Sequence, residues 1–224
     1  MEQSKTTIGF VSAKTLDLGN GGLLAPPPCR DAVIVPVYMD REANDSITGY
    51  PALDTFIAVQ MAKQDYKATR AATLNLTAPE TLDLTDKLHL KNIIVVGMGN
   101  KVAPVPTKEM LTIGKAALKE LGRNKTALVL GAKKEAVDMA DAMLRGSYIF
   151  DTQKSGLLGD KPSNLHIDFA AANPKCKEKA FAPRRIVTEA SQWAATLATT
   201  PSNQLTPGIF AKEIKETLRP LGVH

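Results

Sequence analysis

The chain has 224 residues, 44% hydrophobic and 23% charged, which fits a soluble globular protein of one large domain, or one medium domain with a piece of a second. Aromatic residues make up only 5%, with a single tryptophan, so the stacking platforms of a single-strand nucleic-acid binder are scarce. Lys and Arg outnumber Asp and Glu by 28 to 23, a net charge of +5, and part of that excess is local.

The amino-terminal MEQSKTTIGF has no charged-then-apolar signal pattern, and the longest apolar runs are too short to span a bilayer. The expectation is a soluble, cytoplasmic protein. Cys29 and Cys176 form no Cys-x-x-Cys pair and are read as free thiols. His89, His166 and His224 show no metal-ligand spacing.

TIGFVSA near the amino terminus reads as a first strand. Gly19 to Arg30 is a turn-rich connector, where glycines permit positive φ and three prolines bar helix and sheet interior. Ala32 to Tyr38 reads as a second strand. Pro36 lacks an N–H, so this strand is expected at an edge or interrupted there. Leu53 to Lys63 predicts a helix, with Leu53, Phe56, Ile57 and Met61 near one face. The segment 68–78 is ambiguous, with a strand as one reading.

Asn92 to Gly99 is a continuous run rich in β-branched residues, as in a strand buried on both faces. Thr107 is expected to cap a helix reaching Leu121, with Met110, Ile113, Ala117, Leu118 and Leu121 on one stripe and Gly122 as the stop. Thr126 to Ala132 is the next strand. Ala136, Met139, Ala140, Met143 and Leu144 mark the next helix, ended by Gly146. Strand–helix–strand–helix with short loops makes these two strands parallel and the class α/β: a mixed, mostly parallel sheet flanked by helices.

Asn164 to Ala170 is a further strand whose alternation suggests one wet face. Between Asn173 and Arg185 stand Lys175, Lys177, Lys179, Arg184 and Arg185 against Glu178 alone. The preferred reading is a solvated basic linker; the alternative is a phosphate-binding patch. From Arg184 to Ala198 the helical pattern returns through Ile186, Ala190, Trp193, Ala194 and Leu197.

No motif assembles an active site by spacing. Gly97-Met-Gly-Asn lacks the third glycine of a dinucleotide fingerprint, since Val102 stands there and prolines follow, so tight turning is the better reading. Ser147 has no His or acid placed to activate it. Ala170 to Pro174 resembles the Asn-Ala-Ala-Asn segment of ADP-ribose-binding macro domains, but lysines replace the glycine-rich loop that should follow. It is read as a strand ending in an Asn-Pro turn.

The most specific signal is TTPSNQLTPGIFAKEI, Thr199 to Ile214. Thr206 is an N-cap and Pro207 stands at the first helical position, where its missing N–H costs nothing. Leu205 and Phe210 are placed for a hydrophobic staple. Phe210, Ile214 and Leu218 continue one apolar face, and Pro201 and Asn203 stiffen and turn the preceding loop. The segment Thr200, Pro201, Asn203, Leu205, Thr206, Pro207, Phe210 closely resembles the interdomain segment of the leucyl aminopeptidase family, the cytosol aminopeptidases. There a Thr-Pro-x-Asn-x-Leu-Thr-Pro-x-x-Phe-Ala pattern leads from an N-terminal α/β domain into the catalytic domain. Ile93 to Gly99 and Leu144 to Ser155 resemble other parts of that family in pattern. One departure stands out: the family's Arg-Asp-Leu-x-Asn before the Thr-Pro is Ala195, Thr196, Leu197, Ala198, Thr199 here.

The resemblance implies a macro-like N-terminal domain over 1–172, a basic linker and interdomain helix over 173–198, and the start of a truncated catalytic domain over 199–224. It implies a two-metal hydrolase removing N-terminal residues from peptides, with two divalent ions (zinc or manganese) and all metal and catalytic residues outside this chain. The tail is expected to dock on the chain's own catalytic domain, within a hexamer. This chain alone is expected to be inactive. The alternative is a free-standing binding or assembly module, taking a phosphorylated ligand or nucleic acid on the basic segment.

Overall fold

The computed structural model describes residues 5–13, 30–42, 45–82, 90–101, 105–122, 124–148 and 164–223. Cys29, His89, His224, Val102, most of the Gly19–Arg30 connector and residues 149–155 lie outside them.

In chain order the strands are β1 (Lys5–Ser12), β2 (Ala32–Tyr38), β3 (Thr73–Thr77), β4 (Asn92–Gly99), β5 (Thr126–Val129) and β6 (Asn164–Ala171). The helices are α1 (Pro51–Lys63), α2 (Thr107–Leu121), α3 (Ala136–Gly146), α4 (Pro174–Thr199) and α5 (Pro207–Leu218). One six-stranded sheet runs in the order β1-β6-β5-β2-β4-β3. Every pairing is parallel except that of β3 with β4 at one edge. The mixed, mostly parallel α/β sheet expected from the alternating pattern is therefore present.

Val and Ile fill β2 and β4, and alternate residues point to opposite faces. Ile34, Ile94 and Val96 join a core with Met110 and Ile113 of α2, Met139 and Met143 of α3, and Phe169. Val33, Val35, Ile93 and Val95 join the opposite core with Leu53 and Ile57 of α1. Helix α2 meets α3 closely because Gly114 has no side chain. A Cβ there would lie 3.0 Å from the Ala142 backbone. The amino ends of three strands are fastened by Asp31. Its carboxylate accepts from the Lys125 and Thr126 amides, and its carbonyl from the amides of Lys91 and Asn92. Burial raises the Asp31 pKa, but its bonds from Lys91, Lys125 and Thr126 outweigh that and hold the carboxyl below its usual value.

Several expectations need correction. Of the two expectations for β2, an edge is wrong, since β2 lies between β5 and β4, whereas an interruption holds on one side, where the pairing with β5 stops before Pro36. The reason is local: β2 pairs with β5 only from Ala32 to Ile34, ending with the bond from Leu130 N–H to Ile34. Pro36, two residues on, points its nitrogen the same way, where β5 has already ended, so no ladder bond is lost. The two strands of the strand–helix–strand unit, β4 and β5, are parallel but not neighbours, because β2 lies between them. Thr107 does not cap α2; Pro106 holds the N-cap position without a side-chain bond, and Thr107 is the first helical residue. The ambiguous segment contains β3. Strand β6 has no simple wet face: Asp168, between half-buried His166 and Ala170, is itself buried.

Candidate functional site: the carboxyl-terminal helical arm

The basic segment is helical almost from its start. Asn173 accepts a hydrogen bond from the Cys176 amide at 3.1 Å, Pro174 takes the first helical position, and one helix of 26 residues follows. It starts ten residues before the expected Arg184 and carries Pro183 within it.

Its five cations do not gather into one patch. Lys177 reaches the Lys134 carbonyl at 3.5 Å and Arg184 pairs with Asp138, so both face α3. Arg185 pairs with Glu178 of its own helix at 3.5 Å. Lys175 and Lys179 are exposed. Cys176 is a free, exposed thiol.

The seam that fixes α4 is narrow. Phe181 is fully buried and meets Phe10 edge-on at 5.7 Å between ring centres. About two to four turns further the seam is polar. Thr188 donates to buried Asp141 at 2.7 Å, Gln192 donates to the Leu144 carbonyl at 2.7 Å, and Tyr148 and Thr196 share a hydrogen bond of 3.0 Å. Asp141 also receives Arg145 at 2.9 Å, so the buried carboxylate is doubly held. The apolar stripe legible in the sequence lies elsewhere. Ile186 is 64% exposed and Val187 57%; Ala190 and Ala194 are exposed, and Trp193 and Leu197 are half-buried.

The joint after α4 is ordered by its own backbone. Thr200 donates from its side chain to the Thr196 carbonyl, and Gln204 and Leu205 both donate to the Pro201 carbonyl. Thr206 is the N-cap of α5, accepting from the Ile209 amide at 3.4 Å, with Pro207 at the first helical position. Pro201, Asn203, Thr206 and Pro207 are exposed, and Thr200 and Leu205 are half-buried. Phe210 is 41% exposed, Ile214 and Leu218 are half-buried, and no residue of α5 is buried. The arm therefore presents two helices, set at a specified joint, with apolar side chains on their outer surface.

Sequence reading missed a buried ionic group on β6. Arg30 pairs with Asp168, and His166 Nε2 lies 3.1 Å from the same carboxylate. Gly9 on the neighbouring strand makes room, since a Cβ there would collide with the Asp168 side chain. Arg30 and Asp168 are 138 residues apart, a pairing no local pattern encodes. Among the described residues no three His, Cys, Asp or Glu side chains cluster as a metal site, and no helix is long and apolar enough to cross a membrane.

No family model matches the chain. It is 30% identical over 217 residues to a probable cytosol aminopeptidase of Rhodopseudomonas palustris, covering 91% of this chain and 41% of that protein. A probable cytosol aminopeptidase of Rhizobium etli is 28% identical over 215 residues, covering 92% and 40%. Among solved structures, a tomato leucine aminopeptidase variant superposes with a TM-score of 0.67 at 16% identity, over 98% of this chain and 43% of that one. The bottromycin maturation enzyme BotP gives 0.62 at 17% identity, over 88% and 38%. The chain thus spans about 40% of the length of the curated relatives it matches. With its mostly parallel sheet and its Thr200–Ala211 pattern, the chain belongs to the leucyl aminopeptidase family, as an N-terminal portion.

Proposed function

We propose that this chain is the non-catalytic part of a two-metal leucyl aminopeptidase that removes N-terminal residues from peptides in the cytoplasm. The observation that carries the reading is the outward apolar stripe of α4, continued by an α5 with no buried residue. A stripe at helical spacing is specified to be covered, and here Ile186, Val187, Ala190 and Ala194 stand exposed. The family's catalytic domain is the occupant we assign, within a hexamer. Zinc or manganese ions belong to the whole enzyme in this proposal. The described residues offer no cluster to hold them, so no chemical step is assigned to this chain.

The test is direct. Purified chain supplied with a leucine amide substrate and Mn²⁺ or Zn²⁺ should show no hydrolysis above buffer. Metal-dependent turnover that survives repurification would overturn the proposal.

A further inference from the structure

The carboxyl edge of the sheet carries a concave feature. After β2 the chain crosses to α1 on one face; after β5 it passes through a short turn, Lys133–Glu135, to α3 on the other. Neighbouring parallel strands whose connections leave to opposite faces open a crevice at their carboxyl ends, where open α/β sheets hold ligands. Pro36 accentuates the opening, because β5 ends opposite Ile34 and the proline offers no donor to extend the ladder. The crevice has a volume of about 340 Å³, within the range of small-ligand sites.

Its walls are built rather than loose. The Asp54 carboxylate accepts from the Ser46 hydroxyl at 2.8 Å, the Ile47 amide at 3.1 Å and the Thr48 amide at 2.8 Å, fixing the loop that forms one side. The opposite side is Gly131, at φ +81°, pressed so closely on the Ile47 carbonyl that a Cβ would collide with it. Lys133 follows at φ +39°, a conformation that residues with a Cβ rarely hold and that gathers at binding sites.

The lining divides by chemistry. Pro36, Val37, Tyr38 and Ile47 supply an apolar floor, and the Tyr38 hydroxyl is held by Glu135. Arg41, Lys101, Lys133 and Lys134 stand around it against Asp45 and Glu135, so four cations face two carboxylates, an excess of two positive charges. Arg41 is tied to the Asp45 carbonyl at 2.8 Å, whereas two of the lysines are held by long, exposed contacts. Lys101 lies 3.3 Å from Asp45, and Lys133 donates to the Ser46 carbonyl at 3.3 Å. Such contacts are weak and readily exchanged for a better anion.

We propose that this crevice binds a small organic phosphate of nucleotide size, its phosphate against Lys101, Lys133 and Lys134 and its flat body over Pro36, Tyr38 and Ile47. The site meets the helical arm where Lys177 reaches the Lys134 carbonyl, but it does not rest on the reading given for the arm. The test is an amide-resolved NMR titration of the full chain with adenosine 5′-monophosphate, and in parallel with adenosine and with inorganic phosphate. The nucleotide should shift the Ile47, Gly131 and Lys133 amides saturably and bind more tightly than either half. The Lys101→Gln/Lys133→Gln double variant, with an unchanged melting temperature, should weaken it at least about tenfold, as expected for lost charge-assisted contacts. Lys175→Gln/Lys179→Gln on α4 should leave it unchanged. Absence of saturable shifts at the crevice overturns the proposal. So does adenosine or inorganic phosphate binding as tightly as the nucleotide, or loss of binding in the α4 variant instead.

Discussion

Val33 to Val35 of β2 and Ile93 to Val96 of β4 have no accessible surface, whereas Ile186 and Val187 of α4 are 64% and 57% exposed. These are the same residue types under opposite conditions. In the sheet, an apolar run is closed between two helical layers. In the arm, the contact that holds the helix is a seam of Phe181, Thr188, Gln192 and Thr196, and the richer apolar stripe faces away. An amphipathic pattern states that a face is meant to be covered; it does not state by what. The arm separates the side chains that attach it from apolar ones left exposed.

The widest test of that contrast pairs two truncations. Phe169→Ala, in the core on β6 beside Phe10 of β1, should cost about 3–5 kcal/mol by urea unfolding. Ile186→Ala should change stability by less than about 0.5 kcal/mol. A comparable loss at both positions would mean the outer stripe is covered in the isolated chain after all. The polar seam can be probed next. Thr188→Val removes one of two donors to buried Asp141 and should cost about 1–3 kcal/mol. Amide exchange should accelerate along α4 and stay slow in β2 and β4.

Smaller and more local is the cap of α5. Thr206→Ala should weaken that helix by about 1 kcal/mol. Because nothing in α5 is buried, the loss should raise exchange only there and leave the global unfolding midpoint in place. A shift of the midpoint would show α5 to be coupled to the sheet. Last comes a pH contrast within the sheet. Asp31 titrates lower folded than unfolded, so its contribution is fully present above about pH 4. It is lost as the pH falls through the lower folded value. Asp31→Asn should therefore flatten the acid limb of stability measured between pH 6 and pH 2.5, with no matching change in the arm.

What was legible in the sequence follows the range of the interactions involved. The β-branched run of β4, the stripe of α2 and the Thr206–Pro207 helix start depend on residues within a turn or two, and each stands where the pattern put it. The start of α4 was equally local: Asn173–Pro174 is the same cap-and-proline device as Thr206–Pro207, obscured by the lysines that follow. Strand order was not legible, because Pro36 argues against an interior strand unless one knows that β5 is short. Nor was Arg30 with Asp168, which meet only once β6 lies beside its neighbours. The outward direction of the α4 stripe was out of reach for a different reason, since period reveals a face and not the side of the helix that the sheet will occupy.

The register of β1 has a consequence for how the molecule is made. Among the described residues its one partner in the sheet is β6, with residue 5 beside residue 164 and residue 12 beside residue 171. During synthesis β1 therefore gains its neighbour in the sheet only once β6 has been made. Bringing such distant segments together is the slow kind of step in folding. Phe181 follows β6 by ten residues and packs on Phe10 of β1, so the arm's first anchor arrives just as that strand is captured. This register favours an inside-out order: β2, β4 and β5 can pair before β6 exists, β1 only after it, and the helix that seals β1 leads directly into the joint that presents the arm.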